Sequence, residues 1–134
     1  MKTLKELLEQ PAIYLHNWED KEDMINDFED LGYVKEDNPK HIESAKKYEK
    51  YNILFASYGT GNYEGDAFVL LEQDGKLYEV NGSHCSCYGL EGQFDLEEID
   101  LISIKERILE GNLGTDDYAG NVFATELKAF LGIE

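Results

Sequence analysis

Asp74-Gly75 sits between two apolar, strand-forming runs, Ala67-Phe68-Val69-Leu70-Leu71 and Lys76-Leu77-Tyr78-Glu79-Val80. No other feature restricts the fold of this chain so strongly. A two-residue Asp-Gly loop favours a type I′ turn, whose twist matches that of the strands it joins. The register then follows by counting. Gln73 opposes Lys76 and, seven positions further back, Asp66 opposes Ser83.

Around this hairpin the other elements announce themselves by their ends. Thr3-Leu4-Lys5-Glu6 has the form of a capping box, and the short helix after it must stop near Pro11. Asn17 is placed to cap a second helix with Asp20 in its first turn, where the helix dipole favours a carboxylate. Met24, Ile25, Phe28 and Leu31 fall at helical spacing, and Gly32 supplies a left-handed stop. Asn38-Pro39 opens a third helix, whose Lys40, Lys46, Lys47 and Lys50 make it the only basic stretch. Asn52 to Tyr58 reads as a strand ended by Gly59 and Gly61. Asp95-Leu96-Glu97-Glu98 repeats the capping-box pattern ahead of Ile99, Ile102, Ile108 and Leu109, with Gly111 as the stop. After a Gly/Asp-rich loop, Asn121 caps a last helix that buries Val122, Phe123, Leu127, Phe130 and Leu131. The expectation is one α+β domain over residues 1–134. It has a small antiparallel sheet of about three strands with a central hairpin, covered by helices from both chain ends.

Charge is the strongest compositional signal. The 134 residues include 29 Asp and Glu against 12 Lys and Arg, a formal charge of −17. With 42% hydrophobic residues the chain is globular rather than disordered. No apolar run approaches the roughly 18 residues of a membrane span. The N-terminus lacks a signal-peptide pattern, so a cytoplasmic location is expected, with both cysteines reduced. Phosphates would be repelled, which argues against direct binding of nucleic acid and favours a basic protein surface as partner. From Glu19 to Asp37 there are nine acids and two bases, and from Glu91 to Asp100 five acids and no base. Glu22, Asp23, Asp27 and Asp30, on the outer side of the second helix, are the candidate partner-binding residues.

His84-Cys85-Ser86-Cys87 holds both cysteines and one of the three histidines of the chain. Thiolate and imidazole suit zinc in a tetrahedral array. Strand alternation would put Cys85 and Cys87 on one side and His84 on the other unless Gly82 or Gly89 bends the backbone. Asp66, opposite Ser83, is the nearest fourth ligand by topology, and His16 or His41 are alternatives. The expected site is therefore a structural zinc held by His84, Cys85, Cys87 and Asp66. Two small buried cysteines without metal are the plainer reading. A catalytic zinc would need an open position and a base, for which Glu91 is a candidate. A thiol nucleophile based on Cys85 or Cys87 with His84 is disfavoured, because strand neighbours point apart. A Cys85–Cys87 disulfide would close a strained small ring. The evenly spaced glycines of Tyr58-Gly59-Thr60-Gly61-Asn62-Tyr63-Glu64-Gly65 read as a flexible turn rather than a phosphate loop, since no helix or Lys-Ser/Thr follows. Asp116-Asp117 lacks the spacing of a calcium loop. Trp18 reads as a core residue.

Residues 53 to 98 resemble a family of small phage and prophage proteins. The resemblance rests on Ile53-Leu54-Phe55-Ala56-Ser57-Tyr58-Gly59, Tyr63 to Leu70, Asp74 to Val80, and above all the block His84-Cys85-Ser86-Cys87-Tyr88-Gly89. It implies phage origin and little chemistry. In being small and acidic with a Cys/His cluster, the chain also resembles zinc-containing anti-CRISPR proteins of type II-A systems. That second resemblance implies a non-enzymatic inhibitor that binds a type II CRISPR effector nuclease and blocks target DNA loading. Such nucleases hold nucleic acid in positively charged channels that an acidic helix face would complement. The alternative is a small metal-dependent or thiol enzyme of phage metabolism, working through Glu91 or Cys87.

Overall fold

The computed structural model describes residues 1–29, 39–61 and 63–133, except for the side chain of His41. Its centre is the expected hairpin. Asp74 and Gly75 both have positive φ, 52° and 80°, as a type I′ turn requires. Strands β3 (Glu64–Gln73) and β4 (Lys76–His84) pair from Gln73↔Lys76 without interruption to Asp66↔Ser83 and Gly65↔His84.

The sheet is larger than the three antiparallel strands expected from sequence. It has five strands in the order β1-β2-β3-β4-β5. β2 (Asn52–Gly61) pairs antiparallel with β3, and β1 (Ile13–His16) lies parallel to β2 at one edge. β5 (Glu97–Ile99) closes the other edge against Leu77–Glu79. Both added strands are three or four residues long, too short to show a period of two. A separate two-stranded sheet pairs β6 (Thr115–Asp116), inside the expected Gly/Asp-rich loop, with β7 (Asn121–Val122), which takes the first residues of the expected last helix and leaves Val122 exposed rather than buried.

Three helix starts also differ. α2 (Lys21–Glu29) is capped by Asp20, whose Oδ1 accepts from the Asp23 N–H at 2.9 Å, while Asn17 donates to Thr60 Oγ1. α4 (Leu101–Leu109) is capped by Asp100, which accepts from the Ser103 N–H at 2.7 Å. The apparent capping box at Asp95–Glu98 instead leads into β5. α5 (Ala124–Leu131) has no side-chain cap, because Asn121 lies in β7 and turns inward. α1 (Leu4–Leu8) keeps its capping box in full, and α3 (Pro39–Tyr48) begins at Pro39. The expected roles of Leu31, Gly32 and Asn38 fall outside the described residues.

The sheet is buried on both faces, which explains why β2 and β3 read as near-continuous apolar runs. On one face α2 and α3 pack through Met24, Ile25, Phe28 and Tyr48 against Ala56, Tyr58, Val69 and Val80. On the other, α1, α4 and α5 pack through Leu7, Ile104, Ile108, Leu127 and Phe130 against Phe55, Phe68 and Leu70. A bulge between Ile53 and Phe55 breaks the alternation of β2. Ile53 therefore joins the first core while Leu54 and Phe55 both join the second.

The evenly spaced glycines are not a loose turn. Gly59 and Gly61 lie inside β2, beneath the β6–β7 hairpin. A Cβ on Gly59 would stand 2.1 Å from the Gly120 carbonyl oxygen. On the opposite face, a Cβ on Gly65 would fall 2.3 Å from Cε1 of His84. These glycines make room for a backbone on one side and a ring on the other.

Candidate functional site

The end of the β3–β4 hairpin away from its turn gathers most of the chemistry of the chain, and strand alternation divides it between two faces. His84 points to the α2 face, together with its partner position Gly65. Its Nδ1 lies 2.6 Å from the hydroxyl of Tyr58 on β2. Burial pushes the Tyr58 phenol up to about 12, with Asp27 and Glu91 adding to the effect. The phenol therefore stays protonated, and it and Nδ1 share one hydrogen bond. Tyr58 also packs on Trp18, with ring centroids 5.1 Å apart. Trp18 is a core residue, 1% exposed, and its indole N–H donates to Asp27 Oδ2 at 2.6 Å.

Two of the expected partner-binding acids thus have structural work. Asp27 receives the Trp18 indole, and burial raises its pKa despite that bond. Asp23 Oδ2 accepts from the Glu19 N–H at 2.9 Å. Glu22 stands exposed on α2, and Asp30 lies outside the described residues.

Beyond His84 the chain turns tightly. The Cys85 N–H donates to the Tyr88 carbonyl at 3.2 Å, so Ser86 and Cys87 form the tip of a turn. The Cys87 N–H then donates to Cys85 Sγ at 3.2 Å. Backbone N–H groups of Cys87 and Tyr88 and the Cys87 side chain all favour the Cys85 thiolate and lower its pKa. Past the turn, Gln93 returns to β4. It accepts from the Ser83 N–H and donates to the Ser83 carbonyl, both at 2.8 Å, and to the Gly89 carbonyl at 2.7 Å. Glu91 accepts from the Gly89 N–H at 3.3 Å, a local role rather than that of a base over a metal.

Asp66 faces the other way. Its register opposite Ser83 is as counted from the turn, but being one residue from the position that pairs with His84 puts it on the opposite face. The expected zinc set therefore does not converge. Among the described residues no three His, Cys, Asp or Glu side chains come close enough to hold a metal ion. Only the two sulfurs of the expected four ligands stand together. His16, the alternative ligand, bonds through Nε2 to the Val122 carbonyl at 2.9 Å, and the His41 side chain lies outside what is described.

On its own face Asp66 lines a cavity of about 470 Å³ between β3, β4 and the β6–β7 hairpin. Asn81, Ser83, Arg107 and Asn112 add polar groups to its wall, and Phe68 and Phe123 close it from below. Those two rings stack at 4.9 Å with 16° between their planes. Beside it on the cavity wall stands Asp116, hydrogen-bonded to Asp66. Burial, the Asp116 carboxylate and nearby Glu64 push the Asp66 carboxyl up to about 6. Asp116 moves the opposite way, held down by Asp66 and by the N–H groups of Ala119 and Tyr118. The two share one proton in weakly acidic solution. Sequence reading missed this pair because the residues are 50 positions apart and meet only when the β6–β7 hairpin lies on Gly59. The even spacing of Gly59 and Gly61 was the one available signal.

Deeper under the same hairpin, Ser57 Oγ donates to Asn121 Oδ1 at 2.5 Å, both residues being buried. At the cavity rim Arg107 Nη1 reaches both oxygens of buried Glu79, at 2.9 and 2.8 Å. No described helix is long and apolar enough to cross a membrane. The chain matches no protein-family model, no curated protein and no solved structure, so its residues and their geometry carry the functional reading.

Proposed function

We propose that this protein is a non-catalytic binding module for a basic protein surface, and that the effector nuclease of a type II CRISPR system is the first partner to test. The formal charge of −17 supports a cationic partner, because even complete pairing of every Lys and Arg leaves that excess. One observation carries the reading further: Asp66 and Asp116 stand in contact on the wall of an open cavity that the stacked Phe68 and Phe123 rings also line. Two carboxyls so placed repel when both ionise, and so share a proton in weakly acidic solution. An arginine or lysine side chain entering the cavity replaces that proton, pairs with both carboxylates and lays its apolar stem on the rings. Basic anchors in such pockets dominate many protein interfaces.

Isothermal titration of the protein into a guide-loaded type II effector nuclease tests this. Binding should weaken with added salt and, near pH 6, release a proton that is visible when buffers of different ionisation enthalpy are compared. Asp66→Asn with Asp116→Asn should lower affinity at least tenfold and remove the proton release. Equal affinity for wild type and double variant would exclude the cavity as the anchor, and absence of any binding would exclude this partner.

A further inference from the structure

The two cysteines invite a reading independent of any partner. Their sulfurs are brought together by a turn that is complete without metal. The Cys85 N–H to Tyr88 carbonyl bond closes it, and the Cys87 N–H to Cys85 Sγ bond fixes the sulfur inside it. Cys87 is exposed and Cys85 half-buried, so reagents in solvent reach the pair. Among the described residues no other expected ligand joins them. His84 is held by Tyr58, and Asp66 lies on the far side of the sheet.

Two adjacent, accessible thiols on a hydrogen-bonded turn are suited to exchange rather than to architecture. A disulfide between them would enclose a single residue, Ser86, and so would be strained. Strain in the oxidised form makes such a bond labile and easily reduced, which marks regulatory and catalytic disulfides. A structural disulfide would instead tie distant parts of the chain.

We propose that Cys85 and Cys87 form a dithiol that exchanges with low-molecular-weight disulfides, of which glutathione disulfide is the test case. Cys85 attacks first, as a thiolate stabilised by the donated N–H. A Cys85–glutathione S–S bond forms, and the glutathione S–S bond breaks, expelling one glutathione thiolate. Cys87 then gives up its proton to solvent and its sulfur attacks the Cys85 sulfur. The Cys85–Cys87 bond forms as the second glutathione thiolate leaves. Two thiols are oxidised by two electrons, glutathione disulfide is reduced to two thiols, and the two released protons end on them. Run backwards with a protein dithiol as reductant, the same steps deliver a disulfide to a substrate.

Mass spectrometry of acid-quenched full-length protein, taken across graded ratios of oxidised to reduced glutathione, reads each species. Wild type should lose two hydrogens with no lasting glutathione adduct, and should regain them when reduced glutathione is added. Cys87→Ser should accumulate one adduct on Cys85, because the resolving sulfur is gone. Cys85→Ser should form its adduct on Cys87 roughly ten times more slowly, the N–H-stabilised thiolate being absent. Circular dichroism of both variants checks that the fold is kept. A stable glutathione adduct on the wild type would overturn the proposal, and so would disulfide-linked dimers in place of the internal bond or equal adduct rates in the two variants.

Discussion

Asp66→Asn should remove the loss of stability with rising pH that the Asp66–Asp116 pair imposes. Asp66 titrates at about 6 in the folded protein, against roughly 3.9 in an unfolded chain. Between those values the folded state holds the extra proton. Protons therefore stabilise it, and stability falls as the pH rises from about 4 through about 6. The gap between those two pKa values corresponds to about 3 kcal/mol without screening. Asp66 is only half-buried and the lowered pKa of Asp116 acts in the opposite sense, so solvent screening and partial cancellation leave about 1 kcal/mol. For a chain of this size that is roughly 3–5 °C in Tm. An asparagine fits the same space, donates to Asp116 and carries no charge. Thermal unfolding followed by circular dichroism at pH 4.5, 5.5, 6.5 and 7.5 gives the difference between variant and wild type. The other carboxylates cancel in that difference. The variant should match the wild type at pH 4.5 and exceed it by those few degrees at pH 7.5, with a smaller gain at high salt. A flat difference, or a less stable variant at pH 7.5, would refute the arrangement of the two carboxyls.

Three further outcomes follow from packing and pairing. Gly59→Ala puts a Cβ against the Gly120 carbonyl and Asn121 Cα, both backbone, so the β6–β7 hairpin must lift and the Ser57–Asn121 bond must stretch. Overpacking together with a strained buried hydrogen bond should cost about 3 kcal/mol in urea unfolding, against about 1–2 kcal/mol for Gly75→Ala, where space is open and only the positive φ resists. Arg107→Met leaves Glu79 buried without its partner and should cost about 2–4 kcal/mol, much of it recovered when Glu79→Met is added; failure of the second change to rescue would mean that Arg107 acts by packing alone. Because the four expected zinc ligands do not converge, protein purified without chelator should carry well under one zinc per chain by elemental analysis, and chelator should leave Tm unchanged; one tightly held zinc lost with Cys85→Ser would contradict the described geometry.

What could be read from sequence was governed by range. The Asp74-Gly75 turn fixed a register that holds for all nine paired positions of β4, because a two-residue loop leaves the strands no freedom to slip. The Thr3–Glu6 box and the start of α3 at Pro39 were equally local and equally readable. Competition between neighbouring signals caused the errors. Asn17, Asp95 and Asn121 were plausible caps, but Asp20 and Asp100 stood closer to the helices that formed, and Asn121 found a buried partner in Ser57. The edge strands β1 and β5 exist because the sheet accepts them, not because their own sequences insist. At the site, the register of Asp66 was correct and its face was not. One position along a strand is near in distance and opposite in direction, so proximity counted in residues misplaced the ligand. The Asp66–Asp116 pair needed tertiary structure to exist at all.

Gln93 has a consequence for how this protein behaves in a crowded solution. β5 covers only Leu77 to Glu79, so the rest of β4 lies along an open sheet edge. Open edges invite pairing with strands of other molecules, and aggregation starts there. One amide side chain occupies both the donor and the acceptor of Ser83. An incoming strand would have to break two good hydrogen bonds before making its own. A single glutamine thus serves as a doorstop on the stretch that leads to the cysteine turn, and it keeps that turn open to small molecules while closing the edge beside it to other chains.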